Sequence, residues 1–213
     1  SPYVHATYEY FLRNPICQAM GRKIKIAFSS SDVDSAYTYF HDFGFIPRLN
    51  EKGERGFKVV IGGGLGAVGA VAQTAYEFLH EDQIIPFMEA GIRVFDRYGE
   101  REKRMKARMK FLVKALGFEG FMDLVHEEWT ALKNKTFKID TTAFNFEEIP
   151  VYNEAPKVEP HDVKKYEAWL LSNVFEQKQQ GFYGVQLRVE LGDFKVPVAR
   201  KLAALVSEYA ADD

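Results

Sequence analysis

A single cysteine, Cys17, stands among 213 residues. That scarcity rules out an intrachain disulfide, and it denies the chain by itself the four thiolates of an all-cysteine zinc site or an iron-sulfur cluster. It also fits a reducing, cytoplasmic setting. Long apolar runs are missing too: nothing approaches the roughly 20 residues that a spanning helix needs, and the opening segment is polar and aromatic rather than leader-like. Neither secretion nor a membrane is expected. Charge of one sign is equally short, since 28 Lys and Arg against 30 Asp and Glu leave a net charge of -2. No global field draws the chain to nucleic acid or anionic lipid, so any anion site must be local. Catalytic signatures are absent as well. There is no Gly-x-Ser-x-Gly elbow, the five histidines lack ligand spacing, and His126-Glu127-Glu128 lacks the second histidine of a zincin.

What is present points to a folded domain with an appendage, because hydrophobic residues at 46% and charged residues at 27% suit one substantial core. Residues 6 to 13 read as a helix stopped by Asn14-Pro15. Alternation across Arg22-Lys23-Ile24-Lys25-Ile26-Ala27-Phe28 predicts a strand with Lys23 and Lys25 on one face. Asp32 then caps a predicted helix over roughly 33 to 43, with Val33, Ala36, Tyr37 and Phe40 inward. A strand over Phe57 to Ile61 runs into Gly62-Gly63-Gly64-Leu65-Gly66, and residues 67 to 79 leave helix and packed loop both open. Helices follow over 84 to 97, over 100 to 116 with Met105, Met109, Leu112 and Leu116 inward, and over 119 to 132, before a strand over Thr136 to Thr141. Residues 146 to 160, rich in Glu, Pro and Asn, read as a linker dividing residues 1–150 from 151–213. A helix near 162 to 171, a strand from Tyr183 to Leu191 and a helix from 197 to 210 complete the reading. The fold class is α+β, a mixed or antiparallel sheet covered by helices. Both ends read as abrupt, so an excised piece is expected.

Three groups carry candidate chemistry. Lys23 and Lys25 lie roughly 6.5 to 7 Å apart along a strand face, close enough to grip one anion, although lysines on an edge strand also serve simply as a solvated face. The Gly62 to Gly66 run lets backbone approach a phosphate, a carboxylate or a flat cofactor, or else forms a turn at positive φ. It lacks the Lys-Ser/Thr of a P-loop and the spacing of a dinucleotide fingerprint. From Arg97 to Lys110 the chain carries seven cations against two glutamates, and Arg101, Arg104 and Arg108 fall at helical spacing. Such a stripe either holds carboxylates or phosphates or is a solvated face laced with ion pairs.

Taken in order, these pieces resemble the first sirohaem domain of the sulfite and nitrite reductases. The resemblance rests on Gly21-Arg22-Lys23-Ile24-Lys25-Ile26-Ala27-Phe28-Ser29, His41-Asp42-Phe43-Gly44-Phe45, Gly56-Phe57 leading to Gly62-Gly63-Gly64-Leu65-Gly66, Arg97-Tyr98-Gly99-Glu100-Arg101, and Lys106-Ala107-Arg108-Met109-Lys110-Phe111. More loosely, Gln177 to Arg188, Leu191-Gly192-Asp193 and Leu202-Ala203-Ala204-Leu205 are similar to the opening of that family's second half-domain, which implies a partial ferredoxin-like α+β unit over 151–213. The resemblance implies a six-electron reduction of sulfite to sulfide or nitrite to ammonia at sirohaem bridged to a [4Fe-4S] cluster, with cofactors carried by the complete enzyme and not by this piece alone. It assigns Lys23 and Lys25 to substrate binding and proton supply, and Arg22, Gly62, Gly63, Gly64 and Arg101 to the cofactor. Cluster cysteines and further substrate arginines come from other segments in that family, so the piece is expected to be inactive. Implied partners are the anion, the rest of the parent chain and an electron donor, either ferredoxin or an NADPH flavoprotein. Nucleic acid is not among them. A homodimer through the truncated unit remains open, and the rival reading is a cofactor-less scaffold that binds an anion or nucleic acid.

Overall fold

The computed structural model describes residues 1–142, 159–177 and 181–210. The chain divides into two units, Ser1–Asn145 and Phe146–Asp213. In the first, β1 (Ile26–Phe28), β2 (Phe43–Leu49), β3 (Arg55–Ile61) and β4 (Gln73–His80) form one sheet in that order. The β1–β2 pair is parallel and the other two pairs are antiparallel, so the sheet is mixed and the fold α+β. Helices α1 (Pro2–Phe11), α2 (Ile84–Tyr98), α3 (Met109–Leu116) and α4 (Phe118–Ala131) complete the unit. Among the described residues, no helix is long and apolar enough to cross a membrane.

The core forms where α2 lies on the sheet. Phe43, Phe45, Phe57, Val59 and Ile61 are buried with Ile84, Phe87, Met88 and Ile92, and Phe87 meets the edges of Phe43 and Tyr76. Gly91 lets the helix come this close: a Cβ there would stand 2.8 Å from the Phe43 ring. The opposite sheet face is covered by the turn at 38–41, and a Cβ on Gly44 would stand 2.6 Å from both Thr38 Cβ and Val60. In α1, Tyr3 and Tyr10 donate to the carboxylates of Glu81 and Glu89, and Tyr3 also meets Phe57 edge-on.

Several expected elements take another form. Residues 33 to 43 are not a helix, because Ser29 Oγ lies 2.8 Å from the Ser31 carbonyl and accepts Ser35 N–H at 3.2 Å, and Asp34 accepts Thr38 N–H. Those side chains satisfy the backbone locally in place of helical bonds. Val33 and Tyr37, expected inward, are 72% and 70% exposed. The helix expected from 100 begins only at Met109, since Glu100 accepts the N–H groups of Glu102 and Lys103 and bends the chain, leaving Met105 82% exposed. Met109 and Leu112 do face the core, whereas Leu116 is exposed. Residues 73–80 form β4, neither helix nor loop, and 136–141 run without a strand partner, though Phe137 N–H donates to the Asp82 carbonyl at 2.7 Å.

The second unit contains α5 (Val163–Asn173), β5 (Val174–Glu176), β6 (Tyr183–Val185) and α6 (Val196–Tyr209), with β5 and β6 antiparallel. The strand expected to reach Leu191 ends at Val185, and a turn over Glu190–Gly192 follows in which Leu191 takes a φ of 55°. Most of the expected linker, 146–158, lies outside the described residues.

Candidate functional site

The predicted lysine strand is shorter than its pattern, as the ladder begins at Ile26, paired with Phe43. Residues 22–25 nonetheless keep the alternation. Lys23 and Lys25 are exposed while Arg22 and Ile24 are half-buried, and Ile24, Ile26 and Phe28 pack on the core. Both lysines therefore lie on the side away from the core. Lys25 is fixed twice: its N–H donates to Asp42 Oδ2 at 2.8 Å, and its carbonyl accepts Phe43 N–H at 3.1 Å. Asp42 is buried, and burial raises its carboxyl pKa against the opposing pull of the Lys25 N–H and of the charges on Arg108, Lys25 and His41.

A cavity of about 300 Å3 opens beside Arg22. Arg22, Arg104, Lys106, Arg108 and Lys110 line it together with Leu65–Val68, Met105 and Phe111, and no lining residue is acidic. Cationic and apolar side chains share its lining. The wall at 64–70 is a loop closed on itself by reciprocal bonds between Gly64 and Ala70, both 2.9 Å. Cations hold its inner carbonyls. Lys110 Nζ donates to Gly64 (3.3 Å), Leu65 (3.2 Å) and Val68, and Arg108 donates to Leu65 at 3.3 Å. Lys110 is buried, which lowers its pKa, and neighbouring Arg108 pushes the same way. Arg22 differs from these, because its buried Nε–H donor has no acceptor among the described residues. A buried cationic donor left without an acceptor is costly.

The glycine run and Arg101 stand behind this site. The amides of Gly62, Gly63 and Gly64 already donate to Asp42, His41 and Ala70 at 3.0, 3.0 and 2.9 Å, so the backbone approach expected there is taken up within the chain. A Cβ on Gly63 would stand 2.3 Å from the Tyr39 carbonyl, which makes glycine a packing requirement. Arg101 donates to the carbonyls of Ala19 (2.8 Å) and Asp96 (2.9 Å) and to the Asp96 carboxylate. It is not among the cavity's lining residues, unlike Arg104 and Arg108, because the three do not share a helix. Lys110 was read only as one charge of a run, and its apolar neighbours Met109 and Phe111 are the signal that it points into the fold.

Among the described residues, no group of three His, Cys, Asp or Glu is placed to hold a metal. Burial raises the thiol pKa of Cys17, and Glu89 and Asp96 raise it further, so the side chain stays protonated. The cavity offers cations for acidic groups beside apolar side chains in a volume of about 300 Å3.

The fold is an α+β domain with a cation-lined cavity at one end of its lysine segment. The family model described as "Nitrite and sulphite reductase 4Fe-4S domain" matches residues 1–133, and the chain belongs to that family. Sulfite reductase (ferredoxin) 1 of Mycolicibacterium paratuberculosis is 33% identical over 129 residues, covering 61% of this chain and 23% of that protein. The sulfite reductase (NADPH) hemoprotein beta-component of Chromohalobacter salexigens is 32% identical over 106 residues, 47% of this chain and 18% of the relative. The solved NirA protein of Mycobacterium tuberculosis shares the fold with a TM-score of 0.55 at 24% identity, over 65% of this chain and 25% of its own. The chain thus spans about a quarter or less of these relatives' length.

Proposed function

We propose that the chain forms one cationic wall of the active site of a sirohaem-dependent sulfite or nitrite reductase. The observation that carries this is the cavity lined by five cations and no acid, beside Arg22, which directly precedes the exposed Lys23 and Lys25. Arg22, Arg104, Lys106 and Arg108 would hold carboxylates of the tetrapyrrole, while Leu65, Val68 and Met105 offer its ring an apolar border. When bound, sirohaem would pass to the substrate the six electrons that an external donor delivers, taking sulfite to sulfide or nitrite to ammonia. Lys23 and Lys25 bind the anionic substrate through their ammonium groups and hold protons at Nζ for its departing oxygens. Gly62, Gly63 and Gly64 serve by backing the loop, and Arg101 by bracing residues 19–21 ahead of Arg22.

A cluster needs thiolates that Cys17 alone does not provide, so in this reading other segments of a larger reductase contribute them and the chain by itself does not turn over. The donor would be ferredoxin or an NADPH flavoprotein. The test uses the complete reductase that contains this chain. Changing Lys23 or Lys25 to Ala should lower sulfite or nitrite turnover by about 100-fold or more, with haem absorption retained. Undiminished turnover in both variants would overturn the assignment.

A further inference from the structure

We propose that Asp42 is the positioning residue for the lysine pair, its carboxylate holding the backbone of Lys25 so that residues 22–25 stay extended. The functional part of this inference rests on the role just given to Lys23 and Lys25. The β1 ladder starts at Ile26, one residue after Lys25. Lys25 N–H therefore finds its acceptor in a side chain, Asp42 Oδ2 at 2.8 Å. That carboxylate is itself immobilised, since Asp42 is only 5% exposed and its carbonyl accepts Gly62 N–H at 3.0 Å. Phe43 N–H, the next donor along, takes the Lys25 carbonyl at 3.1 Å. Asp42 and Phe43 together clip Lys25 on both sides.

Burying a carboxylate is costly, and a backbone acceptor would satisfy the same N–H without that cost. Among the described residues the other buried carboxylates, Glu89 and Glu128, are paired with Arg93 at 2.6 and 3.2 Å. Asp42 has no such ion pair among the described residues: its carboxylate accepts the Lys25 N–H and feels the charges of Arg108, Lys25 and His41. Two effects then oppose each other on removal. Loss of the negative charge should favour an anion nearby, whereas loss of the acceptor frees Lys25 and spoils the geometry.

Paired variants separate the two. Asp42→Ala removes acceptor and charge, and Asp42→Asn keeps an acceptor oxygen without the charge. In the complete reductase, amide hydrogen exchange at Lys25 and the KM for sulfite should each rise about tenfold or more in Asp42→Ala, and Asp42→Asn should recover both to within about threefold of the parent. Unchanged Lys25 exchange in Asp42→Ala overturns the proposal. Equal effects of the two variants do so as well, since charge alone would then matter. If Asp42→Ala does not fold, Asp42→Asn decides: tenfold faster Lys25 exchange overturns the proposal and near-parent exchange supports it. An unaltered sulfite KM in Lys23→Ala and Lys25→Ala sinks the substrate role alone, because exchange at the Lys25 amide is read on the backbone.

Discussion

The Lys110 ammonium donates to the Leu65 carbonyl at 3.2 Å, across 45 positions of sequence. With Gly64 and Val68 as further acceptors, it ties the first turn of α3 to the cavity loop. Lys110→Met keeps the apolar stem and removes the ammonium from all three carbonyls, although Gly64 keeps Ala70 N–H and Leu65 keeps Arg108. It should cost about 2–3 kcal/mol in urea unfolding. A loss below about 0.5 kcal/mol would show that the loop holds itself.

Gly63 and Gly69 sit in the same segment under different constraints. A Cβ on Gly63 meets the Tyr39 and His41 carbonyls at 2.3 and 2.8 Å, and at Gly69 it meets nothing within 4 Å. Gly63→Ala should destabilise by about 3 kcal/mol or more, and Gly69→Ala by less than about 0.5 kcal/mol, in parallel thermal melts. Equal melting temperatures would contradict the packing argument.

Arg22 offers a trade of stability against ligand binding. Replacing it with Met removes a buried donor that lacks a partner, so stability should hold within about 1 kcal/mol of the parent or improve. Sirohaem content of the complete reductase, read from its visible absorption, should fall under limiting cofactor. Full occupancy would remove Arg22 from the cofactor wall.

How much of this was legible in the sequence differs by element. The β3 strand and helices α2, α4 and α6 emerge from the pattern of their own residues, although no residue of α6 is buried. The β2 strand was invisible since Gly44 and Pro47 interrupt it, and each is explained only by distant neighbours. Gly44 admits Thr38, and Pro47 lies beyond the end of β1, where that edge has no partner strand. The site divides similarly. Lys23, Lys25 and Arg22 were legible as residues, but the cavity exists only because the chain brings 22, 65–68 and 104–111 together.

Alkaline pH should loosen the N-terminal helix. The phenols of Tyr3 and Tyr10 are pushed from 10.0 up to about 12, each by burial first and then by the carboxylate it donates to, Glu81 or Glu89. A folded pKa above the unfolded value makes this stabilisation complete below pH 10 and lost as pH rises towards about 12. Tyr3→Phe and Tyr10→Phe should each cost about 1 kcal/mol at neutral pH and flatten the alkaline limb of urea stability. A limb of unchanged slope in both variants would contradict this.

The carboxylate of Glu128 bridges Arg93 and Arg97, both at 3.2 Å. Glu128 is buried, so Glu128→Ala should cost about 1–3 kcal/mol. Arg97 is more than half exposed, and Arg97→Ala should cost less than about 1 kcal/mol, a difference that chemical denaturation resolves.

Tyr3 and Tyr10 reach partners 78 and 79 positions further along the chain. On the ribosome, α1 must therefore wait for residues 81–89 to emerge before Tyr3 and Tyr10 have these partners to grip. For this helix, synthesis comes well before docking. Nascent chains arrested before residue 81 should leave the first helix open to protease, and release should protect it.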